Sequence, residues 1–306
     1  MPPTTRPPRR SPSRRVLVTG GAGFLGGHLG ARLRAGGDEV VVLDDLSAPS
    51  PWPGPGVGSV HVADVRDPRA VARAAEGADL VVHLASVVGV DAVVAAPART
   101  RSVIEQGTRV VADVAAARGV PLVFVSSSEV ADPPRSGPRA AYARAKAWAE
   151  AFLRARRDRL DVTIVRPFNV VGPGQVDGRG MVLPALARAA LDGRPLRVHG
   201  DGRQTRTFLH VADFVDAFVA LLEAGPGPSG AIVEIGGERA TAIADVARRL
   251  VVLAGGRAPV EHVAMPRGRE DTPRRRPDLT ALRSRLPFEP RRDLQTILAD
   301  VLAFVA

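Results

Sequence analysis

The chain has 306 residues, no cysteine, 4% aromatic residues and a formal charge of +10, a length suited to one large domain or two modest ones. Without cysteine it holds no disulfide, thiolate metal site or cysteine nucleophile, and so few aromatics argue against a stacking platform for single-stranded nucleic acid. The basic charge comes with no nucleic-acid recognition motif, no apolar run of the roughly 18 residues that span a membrane, and no signal stretch after MPPTTRPPRR, so neither nucleic acid nor membrane is an expected partner and the cytoplasm is the expected compartment.

Residues 1–15 are rich in Pro, Arg, Ser and Thr and read as a disordered arm. Short β-branched runs predict strands at 16–19, 39–43, 59–62, 79–83, 121–126 and 161–166. The Ala/Leu/Arg-rich segments between them predict helices at 24–36, 67–75, 99–118 and 140–157. Near-continuous apolar runs such as VVVL (40–43) belong to parallel strands buried on both faces. Strand–helix alternation therefore predicts an α/β fold, a Rossmann-like doubly wound parallel sheet over 16–168. After Pro167 the pattern breaks up. Helices are expected at 180–192, 211–223, 241–254 and 293–304, so that 169–306 forms a smaller α/β lobe, with 209–236 placed to pack back on the sheet. The stretch APSPWPGPG (48–56) reads as a loop.

TGGAGFLGGHL (19–29) follows the first strand and opens the first helix. Gly20, Gly23 and Gly26 allow a tight turn, close approach of the backbone to a pyrophosphate and tight helix–strand contact. The helix start offers free N–H groups to phosphate. Asp44 ends the second strand, where a carboxylate accepts bonds from a ribose diol; with Asp45 beside it, a 2′-phosphate is disfavoured. NAD is the expected cofactor. Asp64, after the third strand, is a candidate for the adenine amino group. His83 ends the fourth strand and reads better as a buried, hydrogen-bonded histidine. The six histidines are scattered without metal-ligand spacing, so no metal is expected.

The single tyrosine, Tyr142, and the single lysine, Lys146, lie four apart in YARAK, on one face of a predicted helix. Every other basic side chain apart from histidine is arginine, so the one ammonium suggests a task that guanidinium does not perform. A nearby ammonium favours phenolate, and the pair is expected to lower the Tyr142 pKa and make it a base.

With these residues in view, the chain resembles the extended short-chain dehydrogenases/reductases, the NAD-dependent nucleotide-sugar epimerases, dehydratases and decarboxylases. The resemblance covers about 16–305. It rests on TGGAGFLGGHL, DDLS (44–47), HLASVVGV (83–90), SSSEV (126–130), YARAK, RPFNVVGPGQ (166–175), GDGRQTRTFLHV (200–211) and RRRPDL (274–279). It implies NAD contacts from Phe24, Leu25, Val65, Leu84 and Ala85 besides the residues above, with Tyr142 and Lys146 also at the cofactor. It implies that Ser127 bonds the reacting sugar hydroxyl, with Ser128 and Glu129 following. It further implies that Asn169, Met181, Val182 and Arg206 hold the nucleotide diphosphate, and that Arg275 reaches the diphosphate or the sugar.

Ser-Ser-Glu is nearest to the Thr-Ser-Glu of UDP-glucuronate decarboxylases in this family. The implied reaction is decarboxylation of UDP-glucuronate through a 4-keto intermediate to UDP-xylose or a UDP-4-keto-pentose. The alternatives are UDP-hexose 4-epimerisation, 4,6-dehydration or 4-ketoreduction, and a non-catalytic NAD-binding regulator. A UDP-sugar is the expected partner. The resemblance also suggests a homodimer paired through 99–118 and 140–157. Three features depart from the family: Ala131-Asp132 stands where Tyr-Gly is usual, the segment from Ser127 to Tyr142 is short, and VIEQGT (103–108) lacks a common Asn.

Overall fold

A computed structural model describes residues 13–48, 50, 58–134, 136–177, 180–225, 227–265 and 274–306. Most of the sequence-derived arm, and most of the loop at 48–56, lie outside the described residues. Arg14 and Arg15 correct the arm's boundary. Arg14 pairs with Asp38 at 2.7 Å, and Arg15 opens the first strand, its backbone N–H donating to Asp79 at 2.7 Å. These carboxylates sit beyond the basic run, so composition alone gave no sign of the partners.

The first half alternates as its apolar runs dictate. Strand β1 (Arg15–Thr19) leads to α1 (Phe24–Ala35), β2 (Glu39–Asp44), β3 (Ser59–Val62), α2 (Pro68–Ala74) and β4 (Leu80–His83). Then come α3 (Val90–Ala95), α4 (Pro97–Arg118), β5 (Leu122–Val125), α5 (Ser128–Ala131), α6 (Gly137–Arg154) and β6 (Val162–Phe168). Local chemistry sets several ends. Asp67 caps α2 by accepting from the N–H groups of Arg69 and Ala70, with Pro68 next to it, and Gly119 closes α4 at φ 66°. Helices α3 and α5 were not expected from the sequence: at 6 and 4 residues they are too short to show an apolar period.

The second half holds β7 (Val170–Val171), α7 (Val182–Leu191), β8 (Leu196–His199), β9 (Thr205–Thr207), β10 (Leu209–His210), α8 (Val211–Glu223) and β11 (Ala231–Gly236). It continues through β12 (Ala240–Ala242), α9 (Ile243–Leu253), β13 (Val260–Val263), β14 (Arg274–Arg275), α10 (Thr280–Arg283) and α11 (Leu294–Val305).

Seven parallel strands form one sheet in the order β11-β6-β5-β4-β1-β2-β3. Side chains alternate across it. Val16, Val18, Val40 and Val42 face α1 and α8, with Leu29, Leu33, Phe214 and Phe218 in the same core. Leu17, Val41 and Leu43 face α2, α4 and α6, packing with Val71, Ile104, Val111 and Ala149. A third core joins α7, α9 and α11 through Leu186, Leu250 and Leu298. Strand β11 comes from the second half of the sequence yet pairs in parallel with β6 along its whole length, from Ala231↔Thr163 to Gly236↔Phe168. The chain order reverses between β1 and β4. The crevice above their carboxyl ends is where a doubly wound sheet receives its ligand. In the lobe, β14 runs beside β9 with Arg275 opposite Arg206.

Candidate functional site

A cavity of about 380 Å³ opens at that reversal point. Its wall includes Gly20, Gly23, Phe24, Leu25, Gly26, Asp44, Asp64, Val65, Leu84 and Ala85 from the first half of the sheet. It also includes Ser127, Ser128, Glu129, Tyr142, Lys146, Asn169, Met181 and Arg275. Val182 and Arg206, also expected there, are not on the wall. Val182 stands at the start of α7, substantially exposed, and Arg206 is buried opposite Arg275 in the β9–β14 ladder.

The glycine turn is shaped for a phosphate-bearing cofactor. Gly20 has φ +71°, and a Cβ there would lie 2.6 Å from the Ala85 backbone nitrogen; a Cβ on Gly26 would lie 2.4 Å from the Gly20 carbonyl oxygen. Backbone atoms fill those positions, so only glycine fits either. Gly23 caps α1 without a side-chain hydrogen bond, leaving first-turn N–H groups directed outward for an anion. Asp44 is fixed at the end of β2: the N–H groups of Ala22 and Leu46 donate to its two oxygens at 3.0 and 2.9 Å. Burial pushes its carboxyl above the ordinary value, and those bonds work against that rise. This donor set fits NAD. Asp64 lines the same end, but Arg66 grips its carboxylate at 2.5 to 3.1 Å and holds its pKa below the usual range. His83 is buried between Thr19 at 2.7 Å and Thr108 at 3.2 Å; burial, then the Lys146 charge, pull it down to about 3.

At the other end the short helix α5 starts on Ser127, whose Oγ accepts from the Glu129 N–H at 3.2 Å. The Tyr142 phenol lines the same wall as Ser127 and Ser86, whose side chains act to lower its pKa. Lys146 donates to the Val125 carbonyl at 2.8 Å and lies 4.7 Å from the centre of the Phe124 ring. The expected lowering of the Tyr142 pKa is corrected here. Burial pushes the phenol up to about 12, and the Glu129 charge adds to the rise. The ammonium does not oppose this, because it is turned to the Val125 carbonyl; burial pulls Lys146 itself down to about 7.

Glu129 is held by a residue the sequence reading missed. Arg139 donates to Glu129 Oε1 from Nη2 at 2.7 Å and from Nε at 3.1 Å, and Arg275 Nη1 stands 3.6 Å from the same oxygen. Glu129 Oε2 is buried and accepts no hydrogen bond among the described residues. The predicted helix began at 140 and so excluded Arg139. The signal was present: Ser136-Gly137-Pro138 marks a helix start, which puts Arg139 three residues before Tyr142 on the same face. Ser86 and Arg99 also lie on the wall without having been singled out.

The NAD dependent epimerase/dehydratase family matches residues 16–236. The chain is 33% identical over 300 residues to a UDP-N-acetyl-alpha-D-glucosaminuronate decarboxylase of Bacillus cytotoxicus, covering 90% of this chain and 93% of that protein. It is also 33% identical over 321 residues to a UDP-glucose 4-epimerase of Mycolicibacterium smegmatis, covering 95% and 98%. The structure of DesIV, a dTDP-glucose 4,6-dehydratase of Streptomyces venezuelae with NAD and TYD bound, superposes with TM-score 0.84 at 30% identity, covering 95% and 96%.

Because Tyr142 is the only tyrosine, phenolate absorbance reads it alone. The midpoint is expected near 12, well above the value of about 10 for a free phenol. A folded-state pKa above the unfolded one means that the stability it contributes is complete below about pH 10 and is lost as pH rises toward 12. A midpoint at or below 10 in the folded protein without NAD would contradict this arrangement.

Proposed function

We propose a UDP-uronate decarboxylase function for this chain, which belongs to the NAD dependent epimerase/dehydratase family. It is an NAD-dependent nucleotide-sugar enzyme of that family; the choice of a uronate, with UDP-glucuronate as first candidate, is our reading. The observation that carries it is the pair of guanidiniums on Glu129. Arg139 and Arg275 converge on one carboxylate at the cavity wall, at 2.7 and 3.6 Å. Arg206 and Asp132 add one further charge of each sign around Arg275. Guanidiniums offer a planar fork of donors that matches a carboxylate, so a sugar carboxylate reaching this pair gains charge-assisted hydrogen bonds that a neutral hexose lacks.

NAD, when bound, would supply a reversible acceptor for the hydride of sugar C4 and a positive charge that favours a phenolate. Gly20, Gly23, Gly26 and Asp44 hold it, as argued above. With that charge in place the Tyr142 phenol would release its own proton to solvent, and its oxygen would then take the proton of the C4 hydroxyl, with Ser127 on the same wall. Arg139 and Arg275 hold the carboxylate β to the resulting ketone. The C5–C6 bond then breaks, carbon dioxide leaves, and the electron pair moves to the C4 oxygen. Glu129, with Oε2 free of hydrogen bonds among the described residues, is placed to exchange the proton at C5. Ser128, buried beside Ser127, shapes the wall. Asn169 and Met181 on the wall are proposed for the nucleotide diphosphate, with Val182 next to Met181 and Arg206 opposite Arg275 as their neighbours just off it. Asn169 is fixed at φ +42° with its amide donating to the Thr207 carbonyl at 3.3 Å.

The test is incubation of the protein and NAD with UDP-glucuronate, UDP-N-acetylglucosaminuronate and UDP-glucose separately, with products identified by mass. Loss of carbon dioxide from a uronate supports the reading. Interconversion of UDP-glucose and UDP-galactose without decarboxylation of either uronate replaces it by 4-epimerisation. On the accepted substrate, Tyr142→Phe is expected to lower turnover by about 100- to 10,000-fold, with NAD affinity kept; near-normal turnover would remove Tyr142 from the proton transfer. The α4–α6 face, where Arg109 lies 5.4 Å from the Trp148 ring centre and 5.2 Å from that of Phe152, is proposed to pair with a second copy. Sedimentation as a dimer at micromolar concentration is expected, and a monomer there would contradict it.

A further inference from the structure

Beneath the cavity floor runs a chain of buried charges that the reaction above does not use. Glu150 lies four residues after Lys146, the next position on the same face of α6. Its Oε1 accepts from the Ser126 hydroxyl at 2.6 Å and from Arg166 Nε at 2.8 Å; its Oε2 accepts from Arg166 Nη2 at 2.6 Å. Arg166, on β6, donates a third bond to Glu234 of β11 at 3.2 Å. Glu234 in turn accepts from the Asp278 N–H at 2.8 Å, three residues after Arg275. The Glu150 side chain is 6% exposed and the chain of contacts crosses three elements of the fold.

We propose that Glu150 is the positioning residue that fixes Lys146 at the cavity wall in the folded protein. The geometry carries this. Ser126 is tied to Glu150, and the residue before it, Val125, supplies the carbonyl that the ammonium grips. One carboxylate therefore anchors both the strand end and the neighbourhood of the Lys146 charge. The groups around Lys146 are Tyr142 and Glu150 on its own helix, His83 on β4, and Arg166 on β6 behind Glu150. His83 is neutral at ordinary pH, Tyr142 is protonated, and Arg166 is bound to Glu150. Glu150 thus supplies the attraction that opposes the desolvation of the ammonium. Arg166 in turn holds the Glu150 carboxylate in place by its two-pronged contact.

The inference rests on the reading of Tyr142 and Lys146 as the proton-handling pair for its catalytic consequence only. Its test uses no sugar nucleotide, so its failure and that of the decarboxylase reading are separate results. Since Lys146 is the only lysine, protein grown with lysine labelled with carbon-13 at Cε gives one side-chain signal, followed against pH. Glu150→Gln is expected to lower the Lys146 midpoint by about one pH unit. Glu150→Asp, which keeps the charge but withdraws it from Ser126 and Arg166, is expected to lower it less; it carries the test alone if Glu150→Gln does not fold. Glu234→Gln, at the far end of the chain, should leave the midpoint in place. An unchanged midpoint in the folded Glu150 variant tested, or an equal fall in Glu234→Gln, would overturn the proposal.

Discussion

All seven strands of the main sheet run the same way and both of its faces are covered by helices. Every carboxyl end therefore opens on one edge, and the reversal of order between β1 and β4 leaves a gap there that no helix fills. The glycine turn after β1, Asp44 at the end of β2, the Leu84–Ala85 segment after β4 and the Ser126–Glu129 segment after β5 meet at that edge for this reason. Residues far apart in sequence become walls of one cavity because parallel pairing, not local contact, sets their height. Strand β11 extends the same constraint to the second half of the chain, and Glu234 on it reaches the segment that carries Arg275.

Within that frame, electrostatics in a poorly hydrated space decides which groups are charged. Lys146 and Glu150 are both buried, and each would be costly alone. The structure pairs such groups in series, from Ser126 through Glu150 and Arg166 to Glu234. At the other end of the site Arg139 and Arg275 converge on Glu129, the contact on which the proposed preference for an anionic sugar rests.

Much of the frame could be read from the residues themselves. The glycine spacing, the strand-end Asp44 and the lone Tyr142 and Lys146 led to one cavity, because turn chemistry and helix periodicity are local properties. What escaped was non-local or too short to be periodic. Helix α3, which brings Val90 and Val93 to the wall, is one turn and a half long. Arg139 was lost by starting its helix three residues late. The Lys146 ammonium shares a helix face with Tyr142, as its spacing implies, yet spacing could not tell that its hydrogen bond goes to the Val125 carbonyl or that burial dominates the phenol. Arg206 was expected at the diphosphate, yet it stands opposite Arg275 in the β9–β14 pair and off the cavity wall, a matter of strand register that no motif encodes.

The central claim is that the Arg139–Glu129–Arg275 cluster selects a sugar bearing a carboxylate. Calorimetric binding of UDP-glucuronate and UDP-glucose to the NAD-loaded Tyr142→Phe protein tests it without interference from turnover. The account predicts that UDP-glucuronate binds tighter by at least about tenfold, a difference of about 1.4 kcal/mol, and that the gap narrows as salt is raised. Equal affinity for the two sugars, or a preference for UDP-glucose, would contradict it.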